Sequence, residues 1–81
     1  MKAYDYDGRR NVSGDRIREA RIKYRYSQAA LAAKIQCEGV IIEQDAISKI
    51  ENGSRMVQDF ELRTLAKLLG VTTDWLLGNE D

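Results

Sequence analysis

The sequence predicts an all-α fold for this 81-residue chain, and three observations carry the prediction. Proline is absent, strand-favouring runs are short, and apolar residues recur at i, i+3 and i+4 between capping residues and glycines. The clearest example is the 43–53 stretch, where Ala46, Ile47 and Ile50 can face a core. Gln44, Asp45, Ser48 and Lys49 occupy its remaining surface, and Asn52-Gly53 ends it, because glycine accepts the left-handed backbone that closes a helix. A chain of this length makes one domain near the lower size limit for an unaided core. Its elements, counted below as five helices, must therefore share one compact interior.

The elements follow in order. Residues 1–12 lack helical periodicity and are expected to form an N-terminal arm, flexible or ordered only against something else. Arg9-Arg10 in that arm could reach a phosphate or a minor groove. Ser13 is the expected N-cap of a first helix running to about Tyr24, with Asp15 in the turn where the helix dipole favours a carboxylate. Ile17, Ala20, Arg21 and Tyr24 share a face of that helix, and an arginine on an inward stripe needs a carboxylate partner. Ser27 caps the second helix, 28–35, whose alanines favour helix and whose Leu31, Ala32 and Ile35 point inward. Residues 36–42 connect it to the 43–53 helix. Gly39 marks a turn there, and Ile42 is the best-placed of Val40, Ile41 and Ile42 for a staple-like buried contact.

After Gly53, residues 54–58 form a loop. Asp59 is the expected cap of a helix over 60–69, with Leu62, Leu65, Ala66, Leu68 and Leu69 as a wide apolar stripe and Gly70 as its stop. Thr72 or Thr73 caps a last short helix over 74–77, closed by Gly78. The expected domain is 13–78, with 79–81 as a C-terminal tail.

Several function classes are disfavoured by what the chain lacks. With no histidine, no Gly-rich phosphate loop, no nucleophile elbow and no metal-ligand cluster, no acid/base or nucleophile pair can be assembled. The chain is therefore not expected to be an enzyme, to hold a metal or cofactor, or to bind a small-molecule ligand. No apolar run approaches the roughly 20 residues that span a bilayer, so no membrane partner is expected. The polar start carries no secretory signal, and the single cysteine, Cys37, cannot make an internal disulfide. Both favour a cytoplasmic location. Cys37 is read as a small buried or half-buried apolar group.

Formal net charge is zero, which taken alone argues against a polyanionic partner. The distribution argues the other way: residues 9–34 contain eight basic side chains and only two acids, leaving the remainder acidic. A solvated, mixed-charge surface is the alternative explanation of that asymmetry.

Four pieces in sequence complete the reading. Ile17-Arg18-Glu19-Ala20-Arg21, Ser27-Gln28-x-x-Leu31-Ala32, Ile47-Ser48-Lys49-Ile50-Glu51-Asn52-Gly53 and Leu65-Ala66-Lys67-Leu68-Leu69-Gly70-Val71 together resemble the Cro/C1-type (XRE-like) helix-turn-helix family. The resemblance implies a compact five-helix, lambda-repressor-like DNA-binding domain that binds operator DNA, commonly as a homodimer. It makes 28–35 the first helix of the helix-turn-helix and 43–53 the recognition helix in the major groove. It places Glu43, Gln44, Asp45, Ser48 and Lys49 toward base edges, with Gln44 suited to adenine and Lys49 to guanine. Ser27, Gln28, Asn52, Ser54 and Arg55 would meet phosphates, and Arg21 and Glu51 would form the family's buried ion pair.

Two departures from the family pattern stand out. About five extra residues, around 36–41, separate the two helices of the motif. Glu43 and Asp45 place carboxylates where phosphates come close, although both also favour a helix N-terminus. The expected function is a sequence-specific double-stranded DNA-binding transcriptional regulator, first of all a repressor, acting on a palindromic operator as a homodimer. The alternatives are a protein-interaction module, or an antitoxin or accessory regulator, on the same fold. Trp75, Leu76 and Leu77 are the candidates for a dimer interface, unless Trp75 packs on the chain's own core.

Overall fold

The computed structural model describes residues 5–81. Five helices follow one another: α1 (Gly14–Lys23), α2 (Gln28–Cys37), α3 (Gln44–Glu51), α4 (Asp59–Leu69) and α5 (Thr73–Leu76). No strand forms among the described residues; the expected all-helical, five-helix fold is the one observed. Every helix supplies the core. Ile17, Leu31, Ile35, Ile47, Ile50, Leu65, Leu69 and Leu76 are fully buried, and truncating any of these to alanine would cost about 2–5 kcal/mol. α3 packs against both α1 and α2, while α4 and α5 close the other side of the core against α1.

The helix starts show which local signals the chain uses. Ser27 Oγ accepts from the Ala30 N–H at 2.9 Å and Thr72 Oγ1 from the Trp75 N–H at 2.9 Å, each cap being worth about 1 kcal/mol. Two expected caps are corrected. Ser13 is buried, has helical backbone and makes no side-chain cap bond; Asn11 Oδ1 accepts the Gly14 N–H instead, at 2.8 Å. Asp59 is the first residue of α4 rather than its cap. The cap is Gln58, whose N–H is taken by Glu61 Oε1 at 2.9 Å, so a side chain one turn into the helix reaches back to its start.

Two burial expectations are also corrected. Cys37 is exposed, because as the last residue of α2 it lies two positions past buried Ile35 and points to the opposite side. Tyr24 is the residue after α1 and is half-exposed; its ring stacks on Tyr26 at 5.7 Å, and Arg25, at φ 60°, turns the chain between them.

Past its expected end at Ile35, α2 continues to Cys37, and a six-residue connection, 38–43, leads to α3. Gly39 turns it at φ 86°, Gln36 Nε2 donates to the Ile42 carbonyl at 2.6 Å, and the Val40 N–H reaches the Ile35 carbonyl at 3.4 Å. Ile42 is buried as expected; Ile41 beside it is 91 % exposed.

Residues 1–4 of the expected arm lie outside the described residues. Beyond them the chain makes a tight hairpin turn from Tyr6 to Arg9, with Asp7 and Gly8 both at positive φ and the two backbone bonds between Tyr6 and Arg9 formed. Asp-Gly is the dipeptide such a turn requires.

Candidate nucleic-acid interface

The candidate surface is the outer side of α3, and its usefulness depends on how firmly the inner side is held. Ile47 and Ile50 anchor it in the core. At the last residue of α3, Glu51 is paired with Arg21: Nε to Oε2 at 2.6 Å and Nη2 to Oε1 at 2.9 Å, with the carboxylate side chain 4 % exposed. Gln28 Nε2 adds a third bond to Glu51 Oε1 at 3.2 Å, and Arg21 Nη1 donates to the Tyr26 carbonyl at 2.8 Å. One buried carboxylate thus joins α1, the start of α2 and the end of α3. Hydrogen bonding to Glu51, partly opposed by burial, raises the Arg21 guanidinium above its ordinary pKa.

The end of α3 is held a second time by the segment just before α1. The Arg10 N–H donates to the Gly53 carbonyl at 2.8 Å. Asn11 Nδ2 donates to the carbonyls of Ile50 at 3.0 Å and Arg55 at 2.8 Å, satisfying a carbonyl that the helix end leaves open. The Arg9 guanidinium lies across Gly53, where an added Cβ would sit 2.6 Å from Arg9 Cζ. The guanidinium is the far end of a flexible side chain and could give way, so it is the φ of 84° that requires glycine here. Because Asn11 uses both amide hydrogens and its oxygen, Asn11→Ala should cost about 2 kcal/mol. Its urea midpoint should fall with the dependence on urea unchanged, and a midpoint equal to wild type would show these bonds to be dispensable.

Arg55 is committed differently from what the resemblance implies. Its guanidinium forms two parallel bonds to Glu61, at 2.9 and 3.0 Å, and a third to the Met56 carbonyl at 3.0 Å. The Glu61 side chain is 4 % exposed. Burial pushes the Glu61 carboxyl up; the Arg55 hydrogen bonds, the Gln58 N–H and the Arg55 charge together outweigh it, and the net shift is downward. A depressed carboxyl stabilises the fold above its unfolded pKa, and that contribution is lost as pH falls through the lower, folded value. Melting temperature should therefore drop on acidification below about pH 4.5, the ordinary value of this carboxyl. Arg55→Met should melt lower than wild type at neutral pH, and the gap should narrow in acid as Glu61 is protonated in both. A gap independent of pH would contradict the pairing.

The outward residues can now be placed. Glu43, Gln44, Asp45 and Lys49 are exposed on or just before α3, and Ser48 is half-buried beside them. Lys49 Nζ and Asp45 Oδ2 pair at 3.1 Å across one helical turn. An exposed pair of this kind is worth under about 0.5 kcal/mol, so a base contact worth about 1–3 kcal/mol displaces it easily. Asn52 Oδ1 accepts from the Ser54 N–H at 3.0 Å and the Ser54 hydroxyl at 2.6 Å, which fixes the turn after α3 with both side chains exposed. Ser27 and Gln28 stand at the start of α2, where the Gln28 and Ala29 N–H groups precede any intrahelical partner.

Of the expected dimer residues, Leu76 is fully buried and unavailable. Trp75 is half-buried under Arg16, whose guanidinium lies 4.8 Å from the ring centroid, and Leu77 remains exposed.

Asn11 and Gly14 carry no signal in the sequence, and the contacts of Arg9 with Gly53 and of Glu61 with Arg55 are not foreshadowed there. Two signals were present: Asp7-Gly8 for the turn that brings Arg9 back, and Gln58-x-x-Glu61 for the reach-back cap. Among the described residues there is no helix long and apolar enough to cross a membrane and no group of three or more metal-ligating side chains.

Comparison with known proteins agrees with this arrangement. The model of the helix-turn-helix family HTH_3 matches residues 17–76. Among solved structures, the P22 c2 repressor protein, crystallised in complex with synthetic operator 9T in the presence of Tl+, is similar with a TM-score of 0.73. The two share 30 % identity, covering 86 % of this chain and 98 % of that one. No curated protein matches the chain.

Proposed function

The chain belongs to the HTH_3 helix-turn-helix family, and from that premise we propose that it is a sequence-specific double-stranded DNA-binding transcriptional repressor that reads the major groove with α3. The observation that carries the proposal is the mounting of α3. Its inner side is buried, its end is fixed by Glu51 and Asn11, and its polar side is open. A helix so fixed can enter a groove without losing further freedom. The likeness to a repressor crystallised with an operator supports the same reading.

In this reading Gln44 and Lys49 make the principal base contacts, with Glu43, Asp45 and Ser48 beside them. Asp45 serves to orient Lys49 until the groove is filled, and the carboxylates of Glu43 and Asp45 accept from cytosine amino groups, the base edge that donates to carboxylates. Ser27, Gln28, Asn52 and Ser54 contact phosphates. Arg55 keeps its Nε–H and one Nη2–H for the same strand while its other hydrogens hold Glu61 and Met56. The functional unit is 13–78, joined by the arm, acting as a homodimer on a palindromic operator in the cytoplasm. Leu77, Met56 and Val12 line one shallow apolar depression and are the surface for the second copy.

Binding to a preferred duplex should weaken linearly with the logarithm of salt, by about 0.9 per phosphate neutralised. Gln44→Ala should lower affinity for the preferred duplex by about 1–3 kcal/mol while leaving affinity for unrelated duplexes unchanged. Equal losses on both kinds of duplex would remove Gln44 from the base-reading set.

A further inference from the structure

We infer that Ile41 is a specificity-determining residue of the DNA surface, holding the 5-methyl group of a thymine beside the base pairs that α3 reads. The inference rests on the DNA reading of α3. Ile41 is 91 % exposed, the most open of the large apolar residues described, between half-buried Val40 and buried Ile42. Left in water, such a side chain forgoes most of the stabilisation that burial would bring. Its exposure is not slackness of the loop, because the neighbouring backbone is held on both sides: the Val40 N–H by the Ile35 carbonyl and the Ile42 carbonyl by Gln36 Nε2. The side chain is presented on a fixed mount.

What surrounds it identifies what it takes. Ile41 lines one open depression with Ile42, Glu43, Asp45, Ala46, Lys49, Ser54 and Arg55, on the same side of the molecule as the α3 polar face. Ile42 is buried beneath it, so Ile41 is the one exposed large apolar side chain of a rim that is otherwise mostly charged. A protein partner would call for a contiguous exposed apolar patch, and here the only large apolar side chain that stands out into solvent is Ile41, with charged groups around it. A duplex offers a matching target: the major groove displays donors and acceptors at every base pair, and its apolar group is the thymine methyl. The connection that carries Ile41 leads directly into α3, so the contact adds to the readout by that helix.

The test uses the full chain and a duplex selected by it from random sequence. Each thymine of that duplex is replaced in turn by deoxyuridine, which removes the methyl and leaves the hydrogen-bonding edge unchanged. For wild type, one thymine per half-site should cost about three- to fivefold in affinity when replaced, the effect of one buried methyl. Ile41→Val should keep that sensitivity. Ile41→Ala should lose it at that thymine alone, keep wild-type sensitivity at every other, and melt at the wild-type temperature because the side chain is exposed. The inference is overturned if no thymine replacement affects wild type, if Ile41→Ala retains the full penalty, or if it weakens binding equally with and without the methyl. A chain that selects no duplex overturns the DNA reading itself, and this inference with it. A chain that selects a duplex but ignores its methyl groups overturns only the inference.

Discussion

Glu51→Ala should destabilise the domain by about 3–5 kcal/mol, the cost of leaving a buried charge without its partner. The substitution strands the Arg21 guanidinium, whose side chain is 12 % exposed, and removes the acceptor of Gln28 Nε2. Small domains have about 5–15 kcal/mol of stability in total, so the variant should unfold in far less urea than wild type. The expected size comes from the unpaired charge rather than from the attraction within the pair. The double variant Arg21→Met/Glu51→Met, which removes both charges and restores apolar volume, should therefore recover most of the loss. A wild-type urea midpoint for Glu51→Ala would contradict the buried pairing. A double variant no better than the single one would show that the three-way junction of Arg21, Glu51 and Gln28 contributes beyond charge balance.

Gly14→Ala should also destabilise, by roughly 2–3 kcal/mol, against the general rule for this substitution. Glycine inside a helix is ordinarily worse than alanine by about 0.5–1 kcal/mol, so alanine should help at an unhindered site. Here the new Cβ would stand 2.2 Å from the Ile50 carbonyl oxygen, with Arg9 Nη2 and Asn11 Oδ1 each at 3.0 Å. The first of these is backbone of α3 and cannot swing aside. Relief requires α1 and α3 to separate, which opens the core between Ile17 and Ile50 and shifts the recognition helix. The melting temperature should fall by on the order of 10 °C, given about 4–8 °C per kcal/mol in a domain of this size. An unchanged or raised melting temperature would mean that the two helices are not in this close contact.

These two residues differ in how far the sequence revealed them. Arg21 drew attention because an arginine on an inward stripe demands a carboxylate, and the family resemblance supplied Glu51; the structure has the two in contact. Gly14 gave no signal, since its requirement comes from a carbonyl 36 positions along the chain. The same divide runs through the whole reading. Helix order, the caps at Ser27 and Thr72, and the burial of Ile47 and Ile50 rest on neighbours within one or two turns, and such neighbours are legible from spacing. Asn11 holding Ile50 and Arg55, Arg9 lying over Gly53, and Glu61 engaging Arg55 rest on where the folded chain brings distant segments. Cys37 differs from expectation for a related reason: with α2 extended to its end, that position turns away from the face set by Leu31 and Ile35. The expectation for Arg55 is incomplete because its partner Glu61 lies six residues on, across a loop and a helix start, where spacing predicts no contact.

Selection from random duplex DNA at low salt tests the central claim most directly. A repressor that reads the major groove with α3 should enrich a palindrome whose two half-sites lie about 10–10.5 base pairs apart, centre to centre. The enriched duplex should be bound with a marked loss of affinity as salt is raised. Failure to enrich any sequence at low salt, together with a stable complex between this chain and another protein, would contradict the assignment of α3 to DNA.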